Sequence, residues 1–257
     1  MTGPFIFAPD YYDRIRALER TGWWNAGMRD IAASFLSMID VPVDGTVLDA
    51  GCGSGQTASW LQMIYPGRRL LGIDVSEYAV AAARTLPGIH VVSATVLEIP
   101  LRSESVDLVV TQDVLQHLPL DGGDGRALGE IARVLKRGGW LFLRTNSQAF
   151  PRTADDAAAS FHKYRLDELG EKIERAGLRV ARAGRVNAVL GLAEIPRELR
   201  AARDTGTYHG LLATPRETQP WWAPLARRIL RAEGALARAG WPLPWGRSIV
   251  AICQRPT

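Results

Sequence analysis

From Val43 onward, short continuous apolar runs alternate with longer stretches whose apolar positions recur every three or four residues. Runs of the first kind predict buried strands and stretches of the second kind predict helices with one buried face. GTVLDAG (45–51) is the first strand, and QTASWLQMIYP (56–66) a helix stopped by its proline. RRLLGIDV (68–75) is a second strand, followed by the helix SEYAVAAARTLP (76–87) with Ser76 as N-cap. GIHVVSA (88–94) and SVDLVVTQ (105–112) are the third and fourth strands. GRALGEIARVLKRGG (125–139) carries Leu128, Ile131, Ala132 and Leu135 on one helical face and ends at a glycine pair. WLFLRTN (140–146), RLDELGEKIERAG (165–177), LRVARAGRV (178–186) and RSIVAICQ (247–254) complete the series as strand, helix, strand, strand.

Such alternation predicts an α/β fold, a doubly wound Rossmann-like sheet with helices on both faces. About seven strands are expected, mostly parallel, with the last beside the sixth and antiparallel. Two amphipathic segments precede the sheet, PDYYDRIRALER (9–20) and NAGMRDIAASFLSMI (25–39), with Trp23 and Trp24 between them. The expected organisation is an N-terminal helical lid over 1–42, a core over 43–195, a basic helical insertion over 196–247 and a final core strand over 248–257.

Composition adds little to the class but something to its geography. Hydrophobic residues make up 47% and charged residues 23% of 257, as in an ordinary globular protein. The opening MTGPFIFAPD lacks a basic then apolar leader pattern, and no apolar run approaches a membrane span. Two cysteines, Cys52 and Cys253, form no framework, so a reduced, cytoplasmic setting is expected. The net charge is +4, yet Pro196 to Arg247 alone holds nine arginines against four acids. The same segment holds four of the eight tryptophans. APLARRILRAEGALARAG (223–240) within it predicts a helix with Leu225, Ile229 and Leu236 on one side and arginines on the other. It can pack on the sheet as a lid, touch a membrane surface weakly, or hold a lipid-linked substrate. Arginines without ordered aromatic spacing argue against nucleic acid.

VLDAGCGSG (47–55) carries the chemistry. Glycine stands where the backbone bends unusually or lies against something a side chain would block. Ligands of open α/β sheets bind beyond the carboxyl ends of strands, where the strand order reverses. A dinucleotide fingerprint would need a third glycine where Gln56 stands, so a nicotinamide dehydrogenase fits poorly. The competing class is a nucleoside with Asp49 before the turn and Asp74 closing the next strand. A carboxylate there can accept from both ribose hydroxyls.

In order and spacing, VLDAGCGSG, GIDVSEYAVAAAR, VDLVVTQDVLQHLP and EIARVLKRGGWLFLRT resemble the class I S-adenosylmethionine-dependent methyltransferases. The resemblance covers roughly Val47 to Val186 and the final strand. Trp23, Trp24, Gly27 and Arg29, with FHKYRLDELGEKIERAGLRV and LPWGRSIVAICQ, are similar to a bacterial branch acting on small molecules.

The resemblance implies S-adenosyl-L-methionine as cofactor. It would lie over Ala50, Gly51, Cys52 and Gly53, with Gly55 completing the turn. Asp49 would orient the turn and the cofactor's ammonium, Asp74 would hold the ribose and Val75 would pack on the adenine. Where the family commonly has an aspartate for the adenine amino group, this chain has Thr95, and Val96 can still offer its backbone N–H. Gln112 and His117 would lie near the cofactor. Trp24 and Arg29 would come from the lid, Arg29 towards the cofactor carboxylate or into a surface ion pair. His117 and His162 are the candidate bases, each equally readable as a structural histidine. Tyr11, Arg144 and Asn146 are candidate substrate contacts, and Tyr12 can line the same pocket or the core.

The expected activity is transfer of a methyl group to an O, N or C nucleophile of a small metabolite of natural-product, sugar or lipid type. The alternative is an S-adenosylmethionine-binding protein, or a non-methylating enzyme on the same fold, possibly at a membrane surface. TQDV replaces the Asn/Asp-Pro-Pro-aromatic signature of base-directed relatives, which argues against a nucleic-acid acceptor. No His/Cys cluster at metal-ligand spacing is present, so no metal is expected.

Overall fold

The structure, a computed structural model, describes residues 12, 13, 16, 17, 19, 22–148, 162–192, 219–241 and 243–257. Seven strands form one sheet: β1 (Thr46–Ala50), β2 (Arg69–Asp74), β3 (Ile89–Ser93), β4 (Val106–Gln112), β5 (Leu135–Asn146), β6 (Arg179–Val186) and β7 (Ser248–Gln254). Their order across the sheet is β3-β2-β1-β4-β5-β7-β6. Strands β1 to β5 are parallel, and β7 runs antiparallel between β5 and β6. The chain works outward from β1 to β3, then returns to lay β4 on the other side of β1. That reversal opens a crevice at the carboxyl ends of β1 and β4.

The continuous apolar runs become central strands because both faces are covered. All five residues of β1 are buried. One layer holds α1 (Trp23–Leu36), α2 (Gln56–Ile64), α3 (Glu77–Ala83) and α6 (Ala223–Ala239), whose Phe35, Leu61, Val80 and Leu230 pack in one core. The other layer holds α4 (Gly123–Val134) and α5 (Leu166–Arg175), where Ile131 and Ile173 pack against Leu48 and Leu141. Ser76 caps α3 by accepting from the Ala79 amide, as its sequence position predicts.

One expectation is corrected. The helix predicted to run to Gly138–Gly139 ends at Val134, and Leu135 is already extended and paired with Val106. Lys136 donates to both oxygens of Asp107, at 2.9 and 2.8 Å, and Gly138 turns the chain at φ +75°. Strand pairing and this ion pair override the helical period, leaving a register shift before Trp140 meets Leu108.

Helix α6 is the helix predicted over 223–240. Its buried face is Ala226, Leu230, Gly234 and Ala237, and the line of Leu225, Ile229 and Leu236 lies outside it. A β-carbon on Gly234 would come within 2.9 Å of Ile31, so glycine sets the close approach of α6 to α1. Asp30 of α1 accepts from Arg227 and Arg231, and Trp23 meets Trp222 edge-on at 4.9 Å. Glu233, the acid of this helix, is buried and caps the backbone amides of Ala188 and Val189 at 2.9 Å each. Of the segment 196–247, residues 196–218 lie outside the described residues.

Candidate cofactor site

The turn after β1 is fixed from below by strand β2. The amides of Gly51 and Cys52 both donate to the Ile73 carbonyl, at 2.8 and 2.9 Å. The glycines do different work. At Gly51 (φ +89°) a β-carbon would sit 2.1 Å from Val114 Cγ2. At Gly53 (φ +50°) it would meet nothing within 4 Å, so this backbone faces open space. Gly55 instead packs on α3, with Leu86 at 2.7 Å from its would-be β-carbon. Gly53 is thus the cradle position, whereas Gly51 and Gly55 are small for packing. Gly51→Ala combines left-handed strain with overpacking against a stiff valine, and should cost about 2–5 kcal/mol in urea unfolding.

Asp74 is the hub of the crevice. Its Oδ2 accepts from the Gly53 amide at 2.8 Å, and its Oδ1 from the Ser76 amide at 2.9 Å. The Tyr12 hydroxyl, from the segment before α1, reaches the same Oδ1 at 3.3 Å. Beside it Val75 is 52% exposed, an apolar side chain standing uncovered at the strand end.

Asp49 lies beneath, 2% exposed, with Oδ2 buried and without a hydrogen-bond partner. Burial, then the charges of Glu19 and Asp74, push its carboxyl well above the ordinary range, against a bond from the Ala58 amide. Glu19 is pushed up to about 7, first by burial, with Arg29 and Arg144 opposing and Asp113 adding to the rise. Three carboxylates therefore converge at the ends of β1 and β2 with one oxygen unsatisfied. Sequence reading missed Glu19, because an acid in an amphipathic segment reads as a solvent-facing residue.

The lid side supplies donors. Trp24 Nε1 is buried without a partner, and the Arg144 guanidinium stands 5.6 Å over the Trp24 ring. Arg29 donates to the Glu19 carbonyl at 2.7 Å, which ties the preceding segment to α1. Asp113, at φ +58°, pairs through both carboxylate oxygens with Arg144.

The remaining sequence candidates fall into two groups. Ala50 is fully buried in β1 and can offer only its backbone. Cys52 turns its thiol into the sheet against Gly72, and burial raises its pKa, so it is no nucleophile. Thr95 Oγ1 already accepts from the Leu97 amide at 3.2 Å, and Val96 is buried beside it. Gln112 ends β4 opposite Arg144 of β5. His117 ends a short 3-10 turn (Leu115–His117), and burial holds its imidazole below the usual histidine range, with Asp113 pulling the other way. All of these lie at or just after the carboxyl ends of β1, β3 and β4 in the chain.

Others are engaged elsewhere. The His162 ring stacks on Tyr164 at 4.1 Å, and its Nε2 lies 3.6 Å from Glu168 of α5. The backbone N–H of Asn146 donates to Gln116 Oε1 at 3.2 Å, which holds the main chain there and leaves its side chain half-buried. Arg144 is spoken for by Asp113 and Trp24 before any substrate arrives. Tyr11 lies outside the described residues. Among the described residues no group of three or more His, Cys, Asp or Glu could hold a metal ion.

These features fit S-adenosylmethionine. Asp74 and the open Gly53 backbone suit a ribose, uncovered Val75 suits an adenine face, and the acidic cluster suits positive charge. The unpartnered Trp24 N–H suits a carboxylate.

Comparison with known proteins agrees. A family model described as "Methyltransferase domain" matches residues 48–143. A protein of Mycolicibacterium smegmatis named as a probable S-adenosylmethionine-dependent methyltransferase is 35% identical over 58% of each chain. The chain spans about half the length of the first curated relatives it matches. The trans-aconitate 2-methyltransferase of Methylobacterium nodulans is 28% identical, over 85% of this chain and 88% of that one. Among solved structures, phosphoethanolamine N-methyltransferase 2 of Haemonchus contortus, in complex with S-adenosyl-L-methionine, matches in fold. Its TM-score is 0.62 at 16% identity, over 98% of this chain and 58% of that one. The glycine turn, the strand order and this matched domain are features the chain shares with class I S-adenosylmethionine-dependent methyltransferases.

Proposed function

We propose that the chain transfers the methyl group of S-adenosylmethionine to an O, N or C nucleophile of a small molecule. The observation that carries this reading is the trio Asp49, Asp74 and Glu19 around the open Gly53 backbone, with Asp49 Oδ2 unsatisfied. A buried cluster of like charges is costly until a cation enters it. Bound there, S-adenosylmethionine supplies an electrophilic methyl on its own sulfonium, so the protein has mainly to bind and align.

The residues divide that task. Asp74 accepts from the ribose hydroxyls, and its bond to the Gly53 amide keeps the cradle open for them. Asp49 and Glu19 counter the positive charge. Trp24 Nε1 and Arg29 donate towards the cofactor's carboxylate. Alignment of this kind is worth up to about 7–11 kcal/mol of barrier in the best intramolecular cases. A nucleophile that must lose a proton needs an acceptor, and His117 is the better placed of the two histidines. Burial keeps its imidazole neutral at pH 7, ready to take a proton at a ring nitrogen. His162 is drawn towards Tyr164 and Glu168.

A small acceptor is supported by two of the proteins compared above, named for trans-aconitate and for phosphoethanolamine. The test has two arms. Titration calorimetry with S-adenosylhomocysteine should give saturable binding, and its absence would overturn the cofactor reading. Methyl-tritiated S-adenosylmethionine is then incubated with the chain and a fractionated cell extract. Label should appear in the low-mass fraction; label confined to RNA or to protein would overturn the small-molecule reading.

A further inference from the structure

Helix α6 buries Leu230 within a stripe of alanines and a glycine, and the fold needs no large apolar side chain on its outer side. Yet Leu225, Ile229, Ala232 and Leu236 recur there at i, i+4, i+7 and i+11, one line along an α-helix. Leu225 is 58% and Leu236 41% exposed. Tryptophans stand at both ends of the line, Trp221 90% and Trp241 68% exposed. Single exposed apolar residues are ordinary, but an aligned row about 17 Å long is not.

Charge selects the partner. The helix carries four arginines, and Glu233, its single acid, is buried on the opposite side. Arg227 and Arg231 answer Asp30, whereas Arg228 and Arg238 have no ion pair among the described residues. The outward side therefore combines a leucine line with Arg228 beside it, a further unpaired cation in Arg238, no exposed acid, and indole rings at either end. A second copy of this chain would bring like charge against these arginines. An anionic bilayer surface meets every element. Acyl chains take the leucines, headgroup phosphates take the arginines, and indoles favour the interface between them. We infer that the outer face of α6 docks the protein onto anionic phospholipid membranes, lying in the headgroup plane. No helix among the described residues is long and apolar enough to cross a membrane, so contact is at the surface.

The inference needs no cofactor and stands apart from the methyl-transfer reading. It is tested on the full chain with vesicles of phosphatidylcholine alone, or with about 30% phosphatidylglycerol. The chain should float with the anionic vesicles, and far less with the neutral ones or at about 1 M salt. Bilayers with brominated acyl chains should quench its tryptophan fluorescence, and Trp221→Phe with Trp241→Phe should remove most of that quenching.

Near an anionic surface each arginine is worth roughly fivefold in partitioning, so R228E with R238E should weaken it at least about 30-fold. L225S with L236S should weaken it at least about tenfold. Both pairs are exposed, and both variants should bind S-adenosylhomocysteine as the wild type does. Failure of the wild type to float or to be quenched would overturn the inference, whatever the variants do. So would flotation unchanged by both variants, or a dimer in light scattering that L225S with L236S dissolves. The last result would make this face an interface between copies.

Discussion

Asp74→Ala should lose S-adenosylhomocysteine binding by about 10²–10⁴-fold in titration calorimetry. A carboxylate offers about four acceptor positions. The protein uses three of them, for the amides of Gly53 and Ser76 and for the Tyr12 hydroxyl. Two ribose hydroxyls need two positions, so one is free and one must be vacated. The Tyr12 contact is the longest, at 3.3 Å, and involves no covalent neighbour of the crevice floor. It is the one to yield. Each hydrogen bond to a charged group is worth about 1.5–3 kcal/mol, so two give about 3–6 kcal/mol and the stated range in affinity.

The alanine variant also strands two backbone amides, which should lower the unfolding midpoint. Asp74→Asn separates the effects. It keeps an acceptor oxygen and the shape of the side chain, so it should fold near normally while still losing at least about tenfold in affinity. Affinity within a factor of about three of wild type in both variants would remove Asp74 from the site.

The order of strands and helices is legible in the sequence because central strands are apolar on both faces and their helices keep a clean period. The glycine turn is legible as a ligand site, since backbone exposure leaves few other reasons for its composition. Which glycine faces the ligand is not legible. Gly51 and Gly55 are required by Val114 and Leu86, residues far along the chain whose approach only the fold reveals. The same limit explains α6. Both of its sides carry a helical apolar period, so the sequence does not say which one is buried. Close packing on α1 selects alanine and glycine, the residues that count least in a hydrophobicity pattern. Glu19 is hidden for a third reason. A charge reads as solvent-facing until tertiary structure sets it near Arg29, Arg144, Asp113 and Asp49. His162 shows the converse, a suggestive residue whose ring the fold engages on Tyr164.

Asp49→Asn should stabilise the ligand-free protein at neutral pH while weakening its preference for a cationic cofactor. The effect follows from the carboxylate cluster. Asp49 is raised by burial and by Glu19 and Asp74, and Glu19 is pushed from 4.5 to about 7 despite Arg29 and Arg144. Between these two values the folded chain holds a proton that the unfolded chain has released. Glu19's contribution to the stability of the ligand-free protein therefore falls as pH rises from about 4.5 to about 7, and the raised Asp49 carboxyl adds a fall of the same sign. An amide is neutral without a proton, so it removes the cost that burial and the neighbouring charges impose on Asp49 at neutral pH. At an effective dielectric near 20 and a separation of roughly 5–8 Å, one such like charge is worth about 2–3 kcal/mol, or about 4–12 °C in the unfolding midpoint.

Cofactor entry runs the linkage backwards. A sulfonium placed among these groups lowers their pKa values and expels protons, so its affinity should rise with pH across the same window. S-Adenosylhomocysteine lacks the charge on sulfur and should show a shallower rise. The wild-type ratio of the two affinities should consequently exceed that of Asp49→Asn by roughly 30–150-fold above pH 7. Calorimetry near pH 6.5 in phosphate and in Tris, which differ in ionisation enthalpy, reads the released protons directly. Equal heats in the two buffers, with an affinity ratio unchanged by the amide, would mean that the cluster does not face the sulfur.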